Sequence, residues 1–248
     1  MGTSPSTAPE GAAPINHFGR LLGALFSPRG TFEEIAGRPS WVAPIILLTL
    51  LSLVVSGLLA QKVNWERYVA QSIERSPQGQ QLSPEQREQR AAIGAKFART
   101  FAYVFGVIGT ILLTLFLAGV FLGAFNLLAG ASVRFGTAMG IVSHALMPFG
   151  VSSVLAIVVL FLKAPDAVDP EHLLATNLGA LFSGDSPKWL EKLAASVDLF
   201  WIWVLVLMAI GFTAANPKKI STGKALGIAF GLYLAFRLVV VGWAAAFS

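Results

Sequence analysis

The chain has 248 residues, 55% of them hydrophobic and only 12% charged, with a mean hydropathy of +0.69; a soluble domain of this size is neither so apolar nor so poor in charge. The net charge of +5 is scattered and forms no dense basic cluster of the kind that tracks a nucleic-acid backbone, so nucleic acid is not an expected partner. The absence of cysteine excludes disulfides and thiolate metal sites.

Residues 1–14, MGTSPSTAPEGAAP, are small and polar and lack a basic n-region, so they read as a retained flexible tail and not as a signal peptide. Residues 15–41 read as interfacial amphipathic helices. Ile15, Phe18, Leu21, Leu22, Leu25 and Phe26 recur at helical spacing with His17 and Arg20 off the stripe, as in a helix lying in the plane of a membrane surface. Ser27-Pro28 ends this helix. Thr31-Phe32-Glu33-Glu34 reads as a capping box opening a second, short helix.

Five apolar stretches follow, at 42–60, 101–125, 141–162, 197–215 and 225–247. Each reaches or approaches the roughly 20 residues needed to cross a ~30 Å hydrocarbon core. Only helices satisfy their own backbone groups in lipid, and none of the stretches alternates as a barrel strand would. The expected fold is therefore all-α, an integral membrane bundle of five transmembrane helices occupying residues 42–247.

The connections carry helix signals of their own. Residues 61–100 suggest two polar helices, one from about Asn64 to Arg75 and one opened by Ser83-Pro84-Glu85-Gln86, separated by SPQGQQL. The second connection, NLLAGASVRFGTAMG, reads as a tight glycine-rich turn. The third holds two proline-capped starts, Asp169-Pro170-Glu171 and Ser186-Pro187, the latter running through KWLEKLAAS into the fourth span. The fourth, NPKKISTGK, is a basic turn. The face bearing the N-terminus collects seven basic and three acidic residues against ten and nine on the other. Net charge and raw Lys/Arg count thus point to opposite orientations, while the short basic turn favours a cytoplasmic N-terminus.

Several of these stretches together carry a resemblance. SPRGTFEEIAGRPSWVAPIILL, LLAGASVRFGTAMGIVSHALMPFG, and VDLFWIWVLVLMAIGF followed by the basic turn and a last span are similar to the YIP family of Ypt/Rab-interacting membrane proteins. The insert AQKVNWERYVAQSIERSPQGQQLSPEQREQ resembles that of bacterial members. The resemblance implies five spans and a cytosolic N-terminus, in a bacterial cytoplasmic membrane, and does not imply an enzyme. Eukaryotic relatives act in vesicle traffic through small GTPases. The short tail here lacks the long extension through which those relatives often engage partners, which argues against GTPase binding.

Ionisable groups inside a membrane are costly and mark candidate sites. Arg237 falls near the middle of the last span, and Asp198 lies about 8 Å from it in depth at ~1.5 Å per residue, within reach of a snorkelling guanidinium. An intramembrane pair of Asp198 and Arg237, or of Arg237 with a polar group beside Asp198, is expected; snorkelling of Arg237 to headgroups is the plain alternative. Asn126, Arg134 and His144 form a second polar group around the 126–144 turn. Pro148 removes the backbone donor owed to the His144 carbonyl, so a kink is expected there. Gly119 and Gly123, and Gly223, Gly227 and Gly231, place small residues on one face of the second and fifth spans. Such faces serve helix packing inside the bundle or between chains. Trp41, Trp189, Trp201, Trp203 and Trp243 lie near span ends, as belt residues do.

Catalytic signatures do not emerge. The three histidines, 17, 144 and 172, stand on separate segments, no H-E-x-x-H, G-x-S-x-G or Walker A pattern occurs, and Ser183-Gly184-Asp185 has no neighbouring histidine. No cofactor or metal is expected. The reading is a non-enzymatic adaptor or membrane organiser that binds lipids, other membrane proteins or a second copy of itself. The alternative is a small transporter or channel component built on Arg237, Asp198 and Asn126. A water-accessible polar cavity at mid-membrane would favour the transporter, and a filled bundle with an exposed small-residue or aromatic face the adaptor.

Overall fold

The computed structural model describes residues 15–74, 76–164, 168, 170, 173–182 and 186–247. The tail, the start Asp169-Pro170-Glu171, His172 and Ser183-Gly184-Asp185 lie wholly or partly outside the described residues. The described chain is all helical, apart from one isolated antiparallel bridge between Asn177 and Asp198. In order, the elements are α1 (His17–Phe26), α2 (Pro28–Gly37), α3 (Val42–Lys62), α4 (Trp65–Glu74), the single turn α5 (Pro77–Gln80) and α6 (Pro84–Ala129). There follow α7 (Phe135–Ala145), α8 (Met147–Leu162), a 3₁₀ turn (Leu178–Leu181), α9 (Lys188–Ala194), α10 (Leu199–Ala215) and α11 (Thr222–Phe247).

Four helical segments among the described residues are long and apolar enough to cross a membrane: Val42–Lys62, Pro84–Ala129, Phe135–Leu162 and Thr222–Ala245. The fifth apolar helix, α10, has only 17 residues, about 25 Å, short of a ~30 Å core. Its position accounts for this. α10 is apolar on every side, as a helix surrounded by protein is, and packs against α2, α7, α8 and α11. Phe200, Val204, Leu207, Met208 and Phe212 are all buried. Phe212 stacks on Phe125 of α6 with ring centroids 4.2 Å apart and planes 8° from parallel, and Phe121 extends the stack.

Several boundaries differ from those expected, each for a local reason. The Ser186-Pro187 helix does not run into the fourth span: α9 ends at Ala194, and the Asp198 carboxylate caps a new helix by accepting from the Trp201 N–H at 2.9 Å. The second polar helix of the insert is not separate from the second span. The Ser83–Gln86 capping box starts a single helix of 46 residues, roughly 69 Å long, because no proline interrupts the run. Gly130, in the left-handed conformation (φ 61°), closes it. The third span is broken at Leu146, between α7 and α8, where Pro148 occupies the first turn of α8.

At the N-terminus, α2 starts a turn before Thr31. Pro28 sits in its first turn, where a missing N–H costs nothing, and Thr31 is interior, donating its hydroxyl to the Ser27 carbonyl at 3.0 Å. α2 is also not a surface helix, since Phe32 and Ile35 are completely buried against α10 and α7. α1 does keep an exposed apolar face of Phe18, Leu22 and Phe26. Trp41, Trp189 and Trp243 are exposed, but Trp201 faces inward between Phe149 (5.1 Å) and Tyr233 (5.6 Å).

Candidate functional site

The residues of the fourth and fifth spans meet at the junction of α9 and α10. Asp198 is held twice, by the Trp201 N–H and by the Thr176 hydroxyl at 2.8 Å, the latter from the strand-like segment that bridges Asn177 to Asp198. Arg237 lies on the face of α11 that packs on α9. Its Nε donates to Ser196 Oγ at 2.7 Å and its Nη2 to the Lys192 carbonyl at 3.0 Å. One turn earlier, the Tyr233 hydroxyl donates to the Ser196 carbonyl at 2.8 Å. Acid and guanidinium therefore do not bond each other. Asp198 caps the N-terminus of α10, and Arg237 with Tyr233 covers the C-terminal carbonyls of α9, where a cation is favoured by the helix dipole. Both helix ends created by the break in the chain are satisfied in this way, so the charges are explained by orphan backbone groups.

A double substitution tests this. Asp198→Arg with Arg237→Asp is expected to recover none of the stability lost by either single change in detergent unfolding, because the partners differ. Asp198→Ala is expected to cost about 1 kcal/mol and Asp198→Asn, an equally good cap, a few tenths. Recovery in the swap would re-establish a direct pair.

Asn126, Arg134 and His144 are not brought together. Asn126 clasps Val133 with both side-chain atoms, donating to its carbonyl at 3.0 Å and accepting from its N–H at 2.8 Å. Asn216, at the C-terminal end of α10, donates to the Ala131 carbonyl at 2.7 Å. The two asparagines fasten the turn, whose Ser132 has a positive φ of 54°. Arg134 points outward. His144 is fully buried, its Nδ1 lying 2.8 Å from the Gly140 carbonyl one turn back. That contact puts the proton on Nδ1 and leaves Nε2, which has no partner, as the bare nitrogen.

Among the described residues the most deeply placed Lys, Arg, Asp or Glu is one that stands off the apolar stripe of α1. Arg20 is 5% exposed. Its guanidinium donates to the Arg38 carbonyl (2.8 Å), Ser40 Oγ (2.9 Å), the Glu34 carbonyl (3.4 Å) and the Glu34 carboxylate (3.4 Å). It thus ties α1 to the C-terminal carbonyls of α2 and to the entry of α3. The signal in the sequence was faint: an arginine followed, after the Ser27-Pro28 corner, by a glutamate on a second short helix.

A family model described as the Yip1 domain matches residues 22–244. The chain belongs to the Yip1 family. No curated protein and no solved structure gives a match. The match begins within α1, two residues after Arg20, and ends within α11, so it takes in the whole bundle.

The small-residue faces of this Yip1-family chain lie open. A Cβ added at Gly119, Gly123, Gly223, Gly227 or Gly231 would meet no atom within 4 Å, so these glycines do not serve packing within the chain. α11 turns Ala225 and Ala229 inward instead. The glycines at close approaches are others. An added Cβ at Gly106 falls 2.6 Å from Ser56 Oγ, at Gly140 3.0 Å from Ile35, and at Gly211 2.4 Å from Ile141. Among the described residues no group of three His, Asp or Glu side chains could hold a metal ion.

Proposed function

We propose that this Yip1-family membrane protein is a non-enzymatic adaptor or organiser of a bacterial cytoplasmic membrane, binding other membrane proteins and lipids through its outer surface. Its N-terminus lies in the cytoplasm and its C-terminus on the other side. The observation that carries this reading is a contrast. The centre of the bundle is filled by Phe121, Phe125, Phe212 and their apolar neighbours, while the glycine faces of α6 and α11 have nothing against them. Helix association in lipid relies on close packing of small residues, not on apolar burial, so an open glycine face is where another helix gains most. α1, with Phe18, Leu22 and Phe26 on one exposed face, serves as an anchor in the plane of the cytoplasmic leaflet.

The test is photo-crosslinking of the full chain in native membranes. A probe at Gly119 or Gly227 should give adducts with another protein or a second copy, and one at Ala229, on the inner face, should not. Reporter fusions at the two ends should fall on opposite sides. Lipid-only adducts at both glycines would remove protein binding, and solute flux through reconstituted vesicles would favour the transporter reading.

A further inference from the structure

At the opposite end of the bundle from α1, the last turn of α3, the start of α4 and the flank of α6 border an open cleft of about 400 Å³. It is lined by Gln61, Asn64, Trp65, Glu66, Lys96 and Arg99 among others. This volume falls in the range of small-molecule sites, about 300–1,000 Å³. Its depth follows from the helices: Gln61 lies in the last turn of α3, one of the spans, and Arg99 stands two residues before Phe101, where the apolar run of α6 begins. The cleft therefore sits at headgroup level.

Three charged residues line it, Lys96 and Arg99 one turn apart on α6 and Glu66 on α4, without pairing. Lys96, Arg99 and Glu66 make neither an ion pair nor a side-chain hydrogen bond among the described residues. Nearby Lys62, by contrast, is committed to the Leu160 carbonyl and the Phe161 ring. In the wall, Trp65 keeps a buried indole N–H with no acceptor, and an indole can only donate. Two cations and one carboxylate suit a ligand carrying a phosphate and an amine. Membrane-ward from Lys96, Tyr103 and Val107 follow at helical spacing on the same face of α6, both exposed, as a path for an acyl chain.

We propose that this cleft is a headgroup site for an aminophospholipid, with the phosphate on Lys96 and Arg99 and the amine on Glu66. The inference deepens, and rests on, the reading of the chain as a lipid-binding membrane organiser. A phosphate takes charge-assisted bonds from both Lys96 and Arg99. Glu66, in the first turn of α4, receives the ammonium and distinguishes this lipid from an anionic one.

The experiment is thermal unfolding of the detergent-purified full chain, titrated with dihexanoyl phosphatidylethanolamine, dihexanoyl phosphatidylglycerol or inorganic phosphate. Phosphatidylethanolamine is expected to raise Tm saturably by several degrees. The Lys96→Ala/Arg99→Ala variant should shift half-saturation at least tenfold for both lipids. Glu66→Gln should weaken phosphatidylethanolamine alone. All three side chains are exposed, so the lipid-free Tm should stay unchanged and report that the variants fold. An equal response to inorganic phosphate would make this a free-anion site and overturn the lipid assignment. Equal stabilisation of wild type and double variant by phosphatidylethanolamine would overturn the cleft while leaving general lipid binding intact. No stabilisation by any lipid would remove both.

Discussion

Arg20→Ala is expected to release α1 from the bundle and to lower stability by about 3 kcal/mol in detergent unfolding, the scale on which breaking a buried, hydrogen-bonded charge cluster acts. Four acceptors lose their donor at once, two of them carbonyls at the C-terminal end of α2, where the helix dipole adds to the attraction. Arg20→Lys should recover less than half, because a single ammonium cannot reach Glu34, Arg38 and Ser40 together as the planar fork does. Limited proteolysis provides an independent reading: cleavage between Phe26 and Trp41 should rise in Arg20→Ala and stay near wild type in Glu34→Gln, whose exposed carboxylate contributes little. Unchanged unfolding and proteolysis in Arg20→Ala would show that α1 is held by its apolar contacts alone.

Gly211→Ala is expected to destabilise the chain by about 2 kcal/mol or more, although alanine is the better helix former by about 1 kcal/mol. The added methyl falls 2.4 Å from Cγ2 of Ile141 and 3.0 Å from the Phe32 ring. Both neighbours are fully buried, and Ile141 is β-branched and stiff. Close approach of α10 to α2 and α7 is what brings the buried face of α2 into the core, so the cost should include a loosened N-terminal hairpin. Adding Ile141→Ala should make the pair less damaging than the sum of the single changes, since it removes the colliding atom. Gly119→Ala and Gly227→Ala carry the opposite sign, expected to be neutral or slightly stabilising in the isolated chain, because nothing lies over them. An unfolding series of these variants in one detergent decides the matter, and a mild Gly211→Ala would mean that the three helices can separate without loss.

Much of the fold was legible because it rests on local rules. Long apolar runs must become helices in lipid, and the five apolar stretches fall on α3, α6, α7 with α8, α10 and α11. The Ser83–Gln86 box starts α6, Ser27-Pro28 makes the α1–α2 corner, and Pro148 breaks the third span, since caps and prolines act on their own neighbours. Less legible was the junction before the fourth span. KWLEKLAAS and the following apolar run have continuous helical propensity, and it takes Thr176, Tyr233 and Arg237, brought from elsewhere in the chain, to secure the break, the first by holding the capping Asp198 carboxylate and the other two by bonding Ser196 and the Lys192 carbonyl.

The sequence by itself determined that this is a helical membrane protein, which stretches form its apolar helices, and that it belongs with the Yip1 family. Tertiary structure alone decided which charges are buried and which glycines are crowded. Arg20, His144 and Arg237 look alike as isolated polar residues on apolar helices, as do Gly211 and Gly227. What separates them is the rotation of each helix about its axis and the identity of the helix beside it. In a chain whose spans are apolar on nearly every side, the pattern of residues carries little information about that rotation.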